Sequence, residues 1–88
     1  MDNTIGLMRQ RLAALEPQDL HIEDESAAHA GHAGARSGGG HYRLTIVSPR
    51  FAGMNSLARH RSIYAALGDL MQGSIHALSI TALSPDEL

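Results

Sequence analysis

The feature that most limits the fold is a segment without hydrophobic periodicity in the middle of the chain. Nearly every residue from 27 to 40 is Ala, Gly, Ser or His, and the segment ends in three consecutive glycines. Such a segment offers no apolar face to bury, and a glycine run destabilises helices and strands. The regular structure of this 88-residue chain must therefore come from the two flanks. We expect one domain over residues 1–88, with a flexible loop over residues 27–40.

The flank before this segment predicts a helix followed by a strand. Apolar residues recur at helical spacing from Ile5 to Leu15, which predicts a helix from about Asn3 to Glu16. Pro17 cannot continue a helix and ends it. Apolar and polar residues then alternate, which predicts a half-buried strand from about Leu20 to Ser26.

The flank after the segment predicts a second strand and then a helical region. Alternation from His41 to Ser48 is typical of a strand. Asn55 or Ser56 can cap a helix that begins at Leu57, and we expect a turn near His60 to Ser62 that divides the region into two helices. The second of these helices should end at Gly73, a residue type that commonly terminates helices.

The last part of the chain predicts a third strand and a short helical start. The strand covers about Ile75 to Leu83, which is rich in Leu, Ile and Thr. The sequence Ser84-Pro85-Asp86-Glu87 has the pattern of a capped helix start, and we expect only a truncated helical stub over residues 84–88. The predicted element order is α-β-β-α-α-β, an α+β fold with helices on one face of a three-stranded sheet.

Composition excludes several classes of function. The chain has no cysteine, so disulfides, thiolate zinc sites and cysteine nucleophiles are not available. No apolar run approaches the ~20 residues of a membrane-spanning helix, and the first residues do not resemble a secretory signal. No catalytic triad order, phosphate-binding loop or paired carboxylate stands out, so we expect a cytoplasmic protein that is neither an enzyme nor bound to a membrane.

Charge is unevenly distributed along the chain. The formal net charge is −2, which argues against a general binder of polyanions. Acidic residues cluster before the glycine-rich segment, whereas Arg43, Arg50, Arg59 and Arg61 follow it. This asymmetry predicts either one basic face or a set of solvated surface residues.

Several short motifs together indicate a family. Their order and spacing resemble those of the BolA-like family over nearly the whole chain. The motifs are Asp24-Glu25-Ser26, His29, His41-Tyr42-Arg43-Leu44, Val47-Ser48-Pro49-Arg50-Phe51-Ala52-Gly53, Leu57, Arg59-His60-Arg61, Ile63-Tyr64 and Ile75-His76-Ala77-Leu78.

The resemblance implies a fold related to the type II KH module and a partnership with monothiol glutaredoxins. In such complexes the two proteins share a 2Fe–2S cluster. Thiolates from the glutaredoxin and glutathione hold one side of it, and histidine from the BolA-like protein holds the other. The expected function is that of an adaptor in iron–sulfur cluster assembly or trafficking. We expect the isolated chain to be a monomer or a weak homodimer.

The resemblance also assigns candidate ligands. His76 matches the main ligand histidine, and His29 matches the second ligand in the loop between the first two strands. Some branches carry a cysteine in that loop, so this chain resembles the histidine branch. The extended loop makes His32 an alternative to His29. From the residues alone, His76 shares strand parity with Leu78, which leaves a buried structural position as the other interpretation.

Other candidate residues concern partners. We expect a partner-binding surface built from Arg50, Phe51, Arg59, His60 and Arg61, whereas His21 and His41 are interpreted as surface or packing residues. The alternative function is a KH-like nucleic-acid-binding transcriptional regulator, with Arg50, Arg59 and Arg61 on DNA phosphates. The sequence Gly53-Met54-Asn55-Ser56, which precedes the predicted helical region, does not supply the Gly-x-x-Gly loop with which KH modules clamp nucleic acid. A plain interaction module without a cofactor is a third interpretation.

Overall fold

Two helices and a three-stranded sheet make up the protein, as seen in a computed structural model that describes residues 3–26 and 40–88. Most of the predicted loop, including His29 and His32, lies outside the described residues. The elements are α1 (Thr4–Leu12), β1 (Asp19–Asp24), β2 (Gly40–Val47), α2 (Ser56–Leu67) and β3 (Ile75–Leu83). The predicted α+β class is confirmed.

The sheet has the order β1-β2-β3 and is mixed. β1 and β2 pair antiparallel, with Ile22 opposite Leu44. β2 and β3 pair parallel, with Leu44 opposite Ile80. Parallel neighbours need a long crossover, and α2 lies in the connection between these two strands.

The core lies between the helices and one face of the sheet. Alternate residues of β2 point to this face because successive side chains of a strand point to opposite sides. The helices contribute residues spaced four apart, which is about one helical turn. The buried apolar residues of this cluster are Met8, Leu12, Ile22, Tyr42, Leu44, Ile46, Phe51, Ile63, Leu67, Leu70 and Ile75.

The predicted division of the second helical region is wrong. α2 runs without a break from Ser56 to Leu67, and no Gly or Pro interrupts it. It ends at Gly68, five residues before the predicted Gly73, because Gly68 has φ +57°, a conformation that favours glycine. A 3-10 segment over Gly68–Gln72 follows.

Arg11 on α1 reinforces this helix end. Its Nη1 donates to the carbonyl oxygen of Leu67 over 2.9 Å and to the carboxylate of Asp69 over 2.7 Å. The guanidinium lowers the pKa of Asp69, chiefly through this hydrogen bond. A cation therefore occupies the negative end of α2, where the helix dipole favours positive charge.

The other boundaries lie close to those predicted. α1 ends at Leu12, and a 3-10 turn over Ala13–Leu15 completes the predicted helix. β3 has the predicted bounds, Ile75–Leu83. The predicted capping box at Ser84 is present, and the residues that follow form a 3-10 turn over Pro85–Glu87.

β2 begins one residue earlier than predicted, at Gly40. A Cβ atom at this position would lie 2.6 Å from the ring of Tyr42, which is itself buried. The close approach of this ring explains why glycine occupies the first position of β2.

Candidate metal-ligand site

His76 occupies an irregularity at the start of β3. Gly40 pairs with Ile75 and His41 pairs with Ala77, so that one residue of β3, His76, has no opposite residue on β2. This two-against-one arrangement is a β-bulge, which bends the strand and can redirect a side chain.

The bulge exposes His76. Alternation back from Leu78 would place its side chain on the helix-covered face, but Ile75 fills that face and is only 2% exposed. The His76 side chain is exposed instead. The interpretation of His76 as a buried structural residue is therefore wrong, because the bulge breaks the parity on which it rested.

The ring of His41 lies beside that of His76. Their centroids are 5.2 Å apart and the ring planes are inclined by 49°. His41 is on the face of β2 opposite the core, and it is half-buried whereas His76 is exposed. His41 was interpreted from the sequence as a surface or packing residue, and the structure shows that it packs against His76.

The backbone of His41 holds the end of β1. Its N–H donates to Ser26 Oγ over 3.1 Å, and its carbonyl oxygen accepts from the Glu25 N–H over 2.7 Å. Residue 27 follows directly, so the segment that carries His29 and His32 starts beside the His41–His76 pair.

A shallow hollow of about 250 Å³ adjoins the pair. An ion pair between Arg43 and Glu25, with an N–O distance of 3.2 Å, borders it. The hollow is a concave surface next to His41, the ring neighbour of His76. Its lining residues are Glu25, His41, Tyr42, Ala77, Leu78 and Ser79.

His76 is suited to supply one ligand to a metal shared with other groups. A neutral imidazole is a good ligand for iron, and no side chain among residues 3–26 and 40–88 hydrogen-bonds to this ring. In the same part of the chain, no group of three or more His, Cys, Asp or Glu residues could hold a metal ion. The remaining ligands of a cluster at His76 would have to come from residues 27–39 or from a partner.

Arg59 is a structural residue. Its side chain is 11% exposed, donates to the carbonyl oxygens of Met54 and Ala82 over 2.9 and 3.0 Å, and pairs with Glu87 at 2.6 Å. Its guanidinium also lies 5.9 Å from the ring centroid of Phe51, which is fully buried. The prediction that Arg59 and Phe51 contact a partner, and that Arg59 binds phosphate, is wrong. Phe51 is buried, and the guanidinium of Arg59 is already bound to groups inside the protein.

The other predicted partner-binding residues are more accessible. The exposed side chain of Arg50 donates through Nε to Glu16 over 2.8 Å. Arg61 is exposed on α2, and His60 beside it is half-buried. Three arginines were predicted to bind DNA phosphates in the alternative function. Arg59 is internal and Arg50 is in an ion pair with Glu16, so Arg61 is the accessible cation among the three.

The sequence profile described as "BolA-like protein" matches residues 12–87. The chain belongs to the BolA-like family. The resemblance seen in the sequence motifs is therefore confirmed for family membership.

No helix in the described ranges has the length and apolar character needed to cross a membrane.

Curated relatives and solved structures agree with this membership. The chain is 42% identical over 91 residues to "Protein BOLA1, chloroplastic" of Arabidopsis thaliana, with 99% of this chain and 57% of the relative covered. It is 44% identical over 79 residues to "SufE-like protein 1, chloroplastic/mitochondrial" of the same plant, with 84% of this chain and 21% of the relative covered. The BolA-like chain thus spans only part of these relatives.

The fold matches a solved BolA domain. The structure of the BolA domain of SufE1 from Arabidopsis thaliana aligns with a TM-score of 0.84 and 38% identity, over 100% of this chain and 99% of that one. This likeness confirms the two-layer α+β fold independently of the sequence motifs.

Proposed function

We propose that this BolA-like chain is a non-enzymatic adaptor in iron–sulfur cluster assembly or trafficking. In this proposal it binds a monothiol glutaredoxin and contributes histidine to a shared 2Fe–2S cluster. The observation that carries the proposal is the exposure of His76 on a β-bulge, beside the start of the segment that contains His29 and His32.

The ligand roles follow the chemistry of the available groups. Glutathione and the glutaredoxin would supply thiolates, which this chain lacks because it has no cysteine. His76 would supply one nitrogen, and His29 or His32 would supply a second. A cluster with histidine in place of thiolate has a higher reduction potential, and the imidazole binds metal only in its neutral form.

The family context supports a role connected with iron–sulfur proteins. A BolA domain with the same fold is part of a SufE-like protein. In that relative the BolA domain and the SufE-like part belong to one chain. This arrangement supports a role as an adaptor for the second protein rather than as an enzyme that acts alone. The expected cytoplasmic location stays a prediction, since two relatives carry organelle locations in their names.

The docking surface in this proposal differs from the one predicted from sequence. It centres on His76 and the hollow beside it. Arg61 and His60 belong to α2, which packs on the other face of the sheet, and are not part of this surface. Phe51 and Arg59 are internal and do not form it, and Arg59 binds the carbonyl oxygen of Ala82, six residues along β3 from His76.

Cluster reconstitution tests the proposal. A monothiol glutaredoxin is loaded with iron and sulfide in the presence of glutathione, and visible absorption and circular dichroism are recorded before and after addition of this chain. We expect the spectrum to change on addition of the wild-type chain. A spectrum that stays the same at saturating concentration would contradict the proposal.

Single variants then locate the ligands. His76→Ala should remove the spectral change, whereas His60→Ala, a change at a half-buried histidine on α2, should retain it. Separate alanine variants of His29 and His32 identify the loop ligand. If the His76→Ala and His60→Ala variants changed the cluster spectrum equally, His76 would not be the ligand.

A further inference from the structure

We propose that His41 is a positioning residue for His76: its ring supports the His76 imidazole, while its backbone holds the residues that follow β1, Glu25 and Ser26. This inference rests on the proposed ligand role of His76. It assigns His41 no bond to the metal.

The bulge creates the need for such a support. A regular strand residue is steadied by the residue opposite it, but His76 has none on β2. An exposed side chain loses rotamer freedom when it binds, and this loss weakens binding unless the side chain is already held. A neighbour that restricts the ring before binding therefore favours ligation.

The geometry of the two rings fits this role. Aromatic rings attract each other in tilted or offset arrangements with centroids about 4.5–7 Å apart. The His41 and His76 rings, 5.2 Å apart and inclined by 49°, fall within this range. His41 belongs to the central strand, which is paired on both sides, so its ring is a firmer support than a loop residue would be.

The backbone of the same residue holds the residues that follow β1. His41 accepts from the Glu25 N–H over 2.7 Å and donates to Ser26 Oγ over 3.1 Å. These bonds fix the last described residues before residue 27. One residue thus contacts His76 through its ring and both Glu25 and Ser26 through its backbone.

The first test uses the chain alone and needs no cluster. In the wild type, nuclear Overhauser contacts between the His41 and His76 ring protons are expected. His41→Ala should shift the ring resonances of His76, His41→Phe should shift them less because it keeps an aromatic ring, and His21→Ala, an exposed histidine on β1, should leave them unchanged. Absence of the ring contact in the wild type, or unchanged His76 resonances in His41→Ala, would overturn the proposal.

The second test measures the effect on ligation. With a 2Fe–2S cluster reconstituted on a monothiol glutaredoxin and glutathione, His41→Ala should weaken the spectral change and His41→Phe should restore it. Loss in both variants would identify a role of the ring nitrogens and overturn the positioning role. If His41→Ala does not fold, two measurements still test the proposal. A ring contact in the wild type together with a spectral change in His41→Phe would support it, and the absence of either would overturn it. A wild-type chain that leaves the cluster spectrum unchanged would contradict the proposed function, and the ring contact would still be tested by the first experiment.

Discussion

Arg59 and Glu87 form a two-point ion pair that joins α2 to the residues after β3. Arg59 Nη1 lies 2.6 Å from Glu87 Oε1, and Nη2 lies 3.1 Å from Oε2. The carboxylate also accepts from the Ser84 N–H over 2.7 Å, and the guanidinium donates to the Ala82 carbonyl oxygen over 3.0 Å. The carbonyl oxygen of Leu83 accepts from the N–H of Ser48, the residue after β2. Successive carbonyls of a strand point to opposite sides, so the carbonyl of Ala82 points to the outer edge of β3, where Arg59 covers it.

This pair predicts loss of stability in acid. The hydrogen bond from Arg59, followed by that from Ser84, lowers the pKa of Glu87 from the usual 4.5 to about 2. A depressed folded-state pKa stabilises the protein above the unfolded value, and this contribution is lost as the pH falls from about 4.5 to about 2. Urea unfolding across this range should show a falling free energy of unfolding. Glu87→Gln should be less stable at neutral pH and should lose less on acidification; a loss equal to that of the wild type would contradict the assignment.

Arg59 and Arg61 should differ sharply although they lie two residues apart on one helix. Arg59→Leu removes a buried guanidinium with several hydrogen bonds, and we expect it to lower the free energy of unfolding by about 2–4 kcal/mol. Arg61→Leu changes an exposed side chain and should alter stability by less than about 0.5 kcal/mol. Chemical denaturation of both variants gives the comparison. Equal free energies of unfolding for the two variants would contradict the internal, structural role of Arg59.

Gly40 and Gly73 provide a matched pair for the start of β2 and the approach to β3. A Cβ at Gly40 would meet the Tyr42 ring at 2.6 Å, whereas a Cβ at Gly73 meets nothing within 4 Å. Gly40→Ala should therefore cost about 1–3 kcal/mol of stability through overpacking. Thermal or urea unfolding should show Gly73→Ala to be clearly the milder change, and a tolerated Gly40→Ala would contradict the close approach of Tyr42.

The elements that follow from local patterns were predictable from sequence. Hydrophobic periodicity located α1, strand propensity located β3 with its observed bounds, and the capping box at Ser84 was recognised from its spacing. The predicted break in α2 was wrong because packing of Ile63 and Leu67 against the core favours one continuous helix.

The features of the site that were missed depend on tertiary structure. The bulge at His76 depends on how β2 and β3 pair, and α2 lies between these strands in the sequence. Local sequence patterns do not determine the register of such a pair. The burial of Arg59 was missed for a similar reason, because its partner Glu87 is distant along the chain. His76 itself was found through the family motif, whereas its ring neighbour His41 required the strand pairing to be known.

The most direct test of the account is detection of a His76 nitrogen bound to the cluster. The chain is labelled with 15N only at histidine, mixed with a monothiol glutaredoxin, glutathione and a 2Fe–2S cluster, and the reduced complex is studied by pulsed electron paramagnetic resonance. The account predicts strong 15N coupling in the wild type and in the matched control His21→Ala, and loss of the His76 coupling in His76→Ala. Absence of 15N coupling in the wild-type complex, or an unchanged set of couplings in His76→Ala, would contradict the central claim.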